Sequence, residues 1–322
     1  MPGHAARRSL QNRRKINMSF VEHSKPIPLI KPTNSPQVFT RFNESKIAYR
    51  SQNDFYLMKD QCTHRGISLK GSTVCPSDGT LVCPYHGKKN HPTLKLVHKY
   101  DFLWTQDPAS YFSKASDYTF CGSRSFELEA PYHFVLDNFN EGSHTPYVHK
   151  VLGPSPAETA DVTFEWKDFG DRVFFQYLGP QRKNFLFYGL NFNRQIDWHI
   201  SWDAFSESSH MAYHSRWLDR KSGKPVLSEN LNYYFIHPID KNRTALTAFV
   251  FTKPRPWMKI FLPLVKKISM FLTKNQVQED VVFYKIIGVT PRSLNGFDLD
   301  KYDEPLVALR KNLHPLFQKY LE

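Results

Sequence analysis

Two short loops carry the clearest chemical signal in this 322-residue chain: Cys62-Thr63-His64-Arg65-Gly66 and Cys83-Pro84-Tyr85-His86-Gly87. Each offers one thiolate and one imidazole. Two sulfurs and two nitrogens satisfy tetrahedral zinc, and they also satisfy a [2Fe–2S] cluster bound by cysteine on one iron and histidine on the other. A glycine after each histidine, and Pro84 between the second pair of ligands, set tight turns unlike the usual zinc-finger spacing. Cys75, in the turn between the loops, is read as a bystander. Four cysteines in a chain of this length make no disulfide framework.

A second group lies in the run Asp137-Asn138-Phe139-Asn140-Glu141-Gly142-Ser143-His144-Thr145-Pro146-Tyr147-Val148-His149. On a helix, Asp137, Glu141 and His144 share a face, being four and three residues apart. His149 falls round the helix from His144, but Pro146 removes a backbone donor and is expected to distort the turn enough to bring both imidazoles to one centre. Two histidines and one carboxylate leave positions open for O2 on a non-haem Fe(II). The plain alternative is a polar helix that happens to contain two histidines.

The elements that must position these groups read as two β-rich units. Short strands are expected at Gln37 to Phe42, Lys46 to Arg50, Phe55 to Lys59, Thr80 to Cys83 and Leu94 to Val97. A polar linker, Gln106 to Arg124, leads to a helical segment from Pro131 through His149. Longer strands follow at Val162 to Trp166, Arg172 to Tyr177, Phe185 to Asn191, Asp197 to Phe205, His210 to Trp217, Leu231 to Ile236 and Thr244 to Phe251, enough for one curved antiparallel sheet. From Pro256 to Gly288 apolar residues recur at helical steps.

The ligand loops resemble those of Rieske proteins, and the cluster ligands implied are Cys62, His64, Cys83 and His86. Ile67, Tyr85 and Lys88 stand where respiratory-chain Rieske proteins carry a disulfide and a serine, so the likeness is to the lower-potential oxygenase and ferredoxin type. From Lys25 to about Gly288 the chain resembles, in order, the α-subunits of Rieske non-haem iron oxygenases. That resemblance implies an α+β fold: an all-β Rieske domain over 21–124, after a basic tail at 1–20, then a helix-grip (START/Bet v 1-like) catalytic domain over 125–322 with a curved sheet and a C-terminal helix. It implies a mononuclear Fe(II) held by His144, His149 and Asp280, with Glu279 as the rival carboxylate. Glu141 becomes the electron bridge and Asp137 its hydrogen-bonding support. A head-to-tail homotrimer then sets the cluster of one chain, through His64 or His86, against Glu141 of the next.

The implied activity is that of a terminal oxygenase. It would use O2 and external electrons to hydroxylate or oxidatively demethylate a small, largely apolar organic substrate. No glycine-rich nucleotide fingerprint is present, so a separate ferredoxin or NAD(P)H-dependent reductase is expected to deliver the electrons. Alternation along the strands nominates Phe185, Phe187, Trp198, Trp202, Phe205 and Tyr213 as cavity lining; His199, His210 and His214 are read as structural or substrate-orienting. A ring cis-dihydroxylating dioxygenase and a non-catalytic Rieske electron carrier are the competing readings. The net charge of +13 would also permit nucleic-acid contact, but part of it sits in Arg7, Arg8, Arg13, Arg14 and Lys15, ahead of Met18 as a second candidate start, and no nucleic-acid role is expected. The run Trp257 to Thr273, with Lys259, Lys266, Lys267 and Lys274, fits either a helix lying on a membrane surface or a core helix with a solvated back. The second is preferred. No apolar stretch is long enough to span a bilayer, and a cytoplasmic location is expected.

Overall fold

The computed structural model describes residues 23–183, 195–287, 294, 298 and 301–321. The strand expected at Phe185 to Asn191, with Phe187, and the basic tail lie outside them. Eight strands precede residue 105: β1 (Gln37–Arg41), β2 (Glu44–Ser51), β3 (Asp54–Lys59), β4 (Thr73–Val74), β5 (Leu81–Val82), β6 (Lys89–Asn90), β7 (Leu94–Lys99) and β8 (Phe102–Trp104). They make a five-stranded antiparallel sheet in the order β1-β2-β3-β7-β8 and a small three-stranded sheet, β4-β5-β6.

Two hairpin turns in this unit hold a pair of non-glycine residues at positive φ: Phe42 and Asn43 at 54° and 61°, and Tyr100 and Asp101 at 52° and 61°. Paired positive φ values suit two-residue hairpins, though an aromatic side chain there is strained. Both aromatic rings are tied into the second unit. Phe42 packs 5.6 Å from Phe317, and Tyr100 lies 4.5 Å from Phe112 and 5.6 Å from Phe251. Core packing offsets the local strain and docks one unit on the other.

The second unit is a seven-stranded antiparallel sheet. Its strands are β9 (Thr119–Leu128), β10 (Thr163–Asp168), β11 (Arg172–Pro180), β12 (Ile196–Phe205), β13 (His210–Asp219), β14 (Glu229–Pro238) and β15 (Thr244–Lys253), in the order β10-β11-β12-β13-β14-β15-β9. β9 begins inside the segment read as linker and straddles residue 124, pairing with β15 from Thr244↔Leu128 to Thr252↔Thr119. Its residues look polar because they alternate at a sheet edge.

The helical segment also departs from expectation. One kinked helix from Pro131 to His149 is replaced by α1 (Tyr132–Asn138) and α2 (Thr145–Val148), with a turn between them. Asn140 Nδ2 donates to the Leu136 carbonyl at 2.7 Å, the kind of side-chain bond that competes with a continuing helix. Pro146 therefore sits in the first turn of a new helix, where its missing N–H costs nothing. A short 3-10 helix, Pro256–Phe261, leads into α3 (Leu262–Ile287), which packs along β9 and β15; α4 (Glu304–Asn312) and α5 (Pro315–Gln318) follow.

The junction core gathers Phe102, Trp104 and Phe112 against Tyr233, Phe235, Phe249 and Phe251. Phe249 is fully buried, 5.0 Å from Trp104 and 5.4 Å from Phe102. Phe249→Ala is expected to cost about 3–5 kcal/mol of unfolding free energy by denaturant titration. A loss below about 1 kcal/mol would mean that the units do not share this core.

Candidate metal centres

The two Cys-His loops have matching backbones. In the first, Gly66 N–H donates to the Cys62 carbonyl at 2.8 Å and Cys62 N–H to the Ile67 carbonyl at 2.7 Å; in the second, Gly87 pairs with Cys83 at 3.0 Å and Cys83 with Lys88 at 2.9 Å. Each turn closes through a glycine at positive φ, 71° at Gly66 and 67° at Gly87. Cys62 and Cys83 are buried, His64 and His86 are exposed, and the imidazoles stand 5.0 Å apart. The His64 backbone N–H, ahead of the Cys83 and Asn90 contacts, holds the Cys62 thiol below its ordinary range.

Asn90 was not singled out in the sequence. Fully buried, it accepts from Thr63 N–H at 2.9 Å, while its amide donates to the Lys88 carbonyl at 2.8 Å and lies 3.8 Å from Cys62 Sγ. It ties the loops together from behind. Nothing in its local sequence marks it, because its partners in the first loop are 27 and 28 residues away.

The second centre forms where α2 faces α3. His144 Nε2 and His149 Nε2 are 3.3 Å apart, and each is 3.7 Å from Asp280 Oδ1. The point equidistant from these three atoms is the circumcentre of that triangle, about 2.1 Å from each, which is a metal–ligand distance. Asp280 is buried, and its Oδ1 accepts no hydrogen bond from the protein. The donor set, the spacing and this orphaned oxygen all fit a metal ion.

The rival carboxylate has a different place. Glu279 accepts from His149 Nδ1 at 3.2 Å, from Lys150 N–H at 3.3 Å and from Asn275 at 3.0 Å. Glu141 does the same for His144, accepting from its Nδ1 and also from the Ser143 N–H at 2.6 Å. Each imidazole thus has its Nδ1 proton fixed by a carboxylate and its Nε2 aimed inward. Burial opposes a charge on His144, yet Glu141 and, behind it, Asp280 outweigh that and lift it to about 9. Burial also pushes Asp280 up, against the pull of His149 and His144.

Asp137 does not support Glu141 as expected. It forms a two-pronged ion pair with Arg310 on α4, Nε to Oδ1 at 2.9 Å and Nη2 to Oδ2. The helix ends at Asn138, so Asp137 and Glu141 no longer share a continuous face. Burial pushes Asp137 up to about 6, with Arg310 pulling the other way. Arg310 lies 173 residues downstream, where no local pattern marks it.

A cleft opens from the metal position toward the sheet, lined by Trp198, Trp202 and Tyr213 together with Tyr177, Asn232 and Tyr234. Trp202 stacks on Phe175 at 4.7 Å and on Tyr213 at 5.1 Å, with 5° between the planes in both cases. Phe205 is not part of the cleft. It has the opposite strand parity from Trp198 and Trp202, pairs with His210 across β12 and β13, and stacks on it at 4.5 Å in the junction core. His199 and His214 also have the outer parity; His214 Nε2 lies 3.0 Å from Glu229.

Residues 20–97 match the family model of the Rieske [2Fe-2S] domain. The N-terminal unit is a Rieske domain. Methylxanthine N1-demethylase NdmA of Pseudomonas putida is 24% identical over 183 residues, an alignment spanning 45% of this chain and 50% of that protein. The matched region is therefore half the length of that curated relative. Among solved structures, dicamba monooxygenase bound to 3,6-dichlorosalicylic acid aligns with TM-score 0.70 and 16% identity over 94% of this chain and 99% of that one. A P. putida CBB5 NdmA variant with caffeine aligns with TM-score 0.61 and 16% identity, covering 89% and 88%. At these identities the structural likeness concerns the fold: a Rieske β unit followed by a curled antiparallel sheet and a C-terminal helix, the architecture of the Rieske non-haem iron oxygenases.

The Asp137–Arg310 pair yields a stability test. Removing one partner leaves a buried charge, so Arg310→Met is expected to lower unfolding free energy by about 3–5 kcal/mol, whereas Asp137→Leu combined with Arg310→Met recovers most of the loss. Additive losses in the double variant would show that the two side chains are not coupled.

Proposed function

We propose that the chain is a terminal oxygenase, acting as a monooxygenase that hydroxylates or oxidatively demethylates a small, largely apolar organic substrate. The observation that carries this reading is the buried His144, His149 and Asp280 triangle opening onto an aromatic cleft, in the same chain as a Rieske domain. Cys62, His64, Cys83 and His86 would hold the [2Fe–2S] cluster, and the triangle a mononuclear Fe(II). When bound, the cluster supplies electrons one at a time and the iron, with open coordination positions, activates O2 beside the substrate. The named activities of the relatives, N1-demethylation and monooxygenation, favour this reading over ring dihydroxylation.

The chain's own residues do three jobs in this scheme. Glu141 and Glu279 keep the Nδ1 protons of His144 and His149 and so leave both Nε2 lone pairs free for ligation. Trp202 and Tyr213, stacked and largely buried, wall the cleft and exclude water from the substrate's reacting position. The exposed His64 and His86 would hold the cluster on the open side of its loops, and Glu141, bound to His144, would be the protein group that bridges toward the mononuclear site. That bridge is proposed to work between neighbouring chains of a homotrimer, fed by a separate ferredoxin or NAD(P)H-dependent reductase.

Anaerobic reconstitution tests the reading. Wild type is expected to bind about three irons per chain, and His144→Ala about two, with the reduced-cluster EPR signal intact in both. A wild type that stops at about two is an electron carrier instead. Glu141→Gln is expected to keep its iron and lose turnover by a factor of about 10–100, in line with losses seen when a metal ligand's outer partner is removed.

The pH dependence has a definite sign. In the metal-free protein His144 is protonated below about 9 and must shed that proton to ligate. Loading of the mononuclear site is therefore expected to weaken as the pH falls from 8 to 6, read by equilibrium dialysis with Fe(II). Loading that is flat over this interval contradicts the assignment.

A further inference from the structure

The segment from Lys253 through Gln278 contains six basic residues and no acidic one. Its apolar residues divide between two faces of the 3-10 turn and α3. Val265, Ser269, Leu272 and Thr273 are buried against the sheet. Trp257, Ile260, Phe261, Leu264 and Phe271 are exposed, Ile260 at 83% and Phe271 at 57% of their full surface. The helix expected to face the core is thus apolar on both sides, and Lys259 and Lys267 are exposed among the outer apolar residues. Among the described residues no helix is long and apolar enough to cross a membrane. An aromatic and aliphatic patch interleaved with lysines, with no acid in its own segment and with Lys253 at its start 3.9 Å from Asp117, matches the charge and polarity of an anionic bilayer surface. A second copy of the same face would set lysines against lysines.

We propose that this face docks the protein on an anionic lipid bilayer, with Trp257, Ile260, Phe261, Leu264 and Phe271 entering the headgroup and acyl boundary and the lysines meeting lipid phosphates. The docking needs neither iron nor turnover, so it stands or falls separately from the oxygenase reading. Beneath the face, a second apolar cavity is lined by Met258, Val265, Ile268 and Leu272, and one and two turns further along the inner side of α3 come Gln276 and Asp280 of the metal cleft.

The test is co-sedimentation of the purified full chain with vesicles of phosphatidylcholine alone or of phosphatidylcholine with phosphatidylglycerol. Trp257 reports insertion through quenching by brominated lipid, four of the other five tryptophans being buried. Binding is expected only with phosphatidylglycerol present and to fall as salt rises. Lys259→Glu and Lys267→Glu should each reduce partitioning at least about fivefold. Ile260→Ser with Phe261→Ser and Leu264→Ser should abolish Trp257 quenching while cluster absorbance and circular dichroism stay native. The proposal is overturned if wild type ignores both vesicle types, if the serine variant binds undiminished, or if that variant instead breaks an oligomer and so shows that another copy covers the face.

Discussion

Two imidazole nitrogens and a carboxylate oxygen, all within 3.7 Å of one another in a largely buried site, are the arrangement on which the rest of this structure depends. Lone pairs facing one another away from water are costly unless an ion or a proton lies between them. The chain holds them there by fixing the far side of each ligand. Glu141 and Glu279 grip the two Nδ1 atoms, and Asp280 stays on a helix long enough to be rigid. Those carboxylates also set the price of leaving the site empty, since the field of Glu141 and Asp280 makes His144 more basic than an ordinary imidazole.

The scaffold meets this requirement with short-range and long-range devices. Breaking the helix after Asn138 lets a few residues of turn place Glu141 three positions before His144 with both on the site side, which a straight helix would not do for His149. α3 supplies Asp280 and Glu279 from adjacent positions about 100° apart, so one reaches the centre and the other the outer edge of His149. The Asp137–Arg310 pair then locks α1 to α4. A buried ion pair adds little net stability compared with a packed apolar pair, but it penalises any other arrangement of the two helices.

What was legible in the sequence follows from how far each partner lies along the chain. The Cys-His loops could be read because ligand, glycine and turn lie within five residues of one another, and the second histidine pair for the same reason. Asp280 against Glu279 could not be decided from spacing, because neighbours on a helix differ only in direction and direction depends on packing. Asn90 and Arg310 left no local trace. Phe205 shows a different failure: it was nominated by alternation together with Trp198 and Trp202, but three positions after Trp202 on the same strand the period of two sends it to the opposite face, where it pairs with His210. β9 was hidden because an edge strand with one solvent-facing side looks like a polar linker.

The cleft itself carries a further constraint. Its floor is the inner face of β11 to β14, where Tyr177 pairs with Ile200 and Trp202 with Tyr213, which in turn pairs with Asn232. On this mostly aromatic surface the Tyr177 hydroxyl, the Trp198 indole N–H and Asn232 Oδ1 are buried with no hydrogen-bond partner among the described residues. A polar group left so typically costs on the order of 1–3 kcal/mol, and Phe in place of Tyr177 would avoid its share. Two donors and one acceptor therefore persist where packing alone would favour their removal. They give the cleft an oriented polar edge within an apolar volume, which rewards a flat molecule that offers its own acceptors and donor on the matching side. Such an edge, held at a fixed distance from His144, His149 and Asp280, determines which part of a bound molecule faces the three ligand atoms.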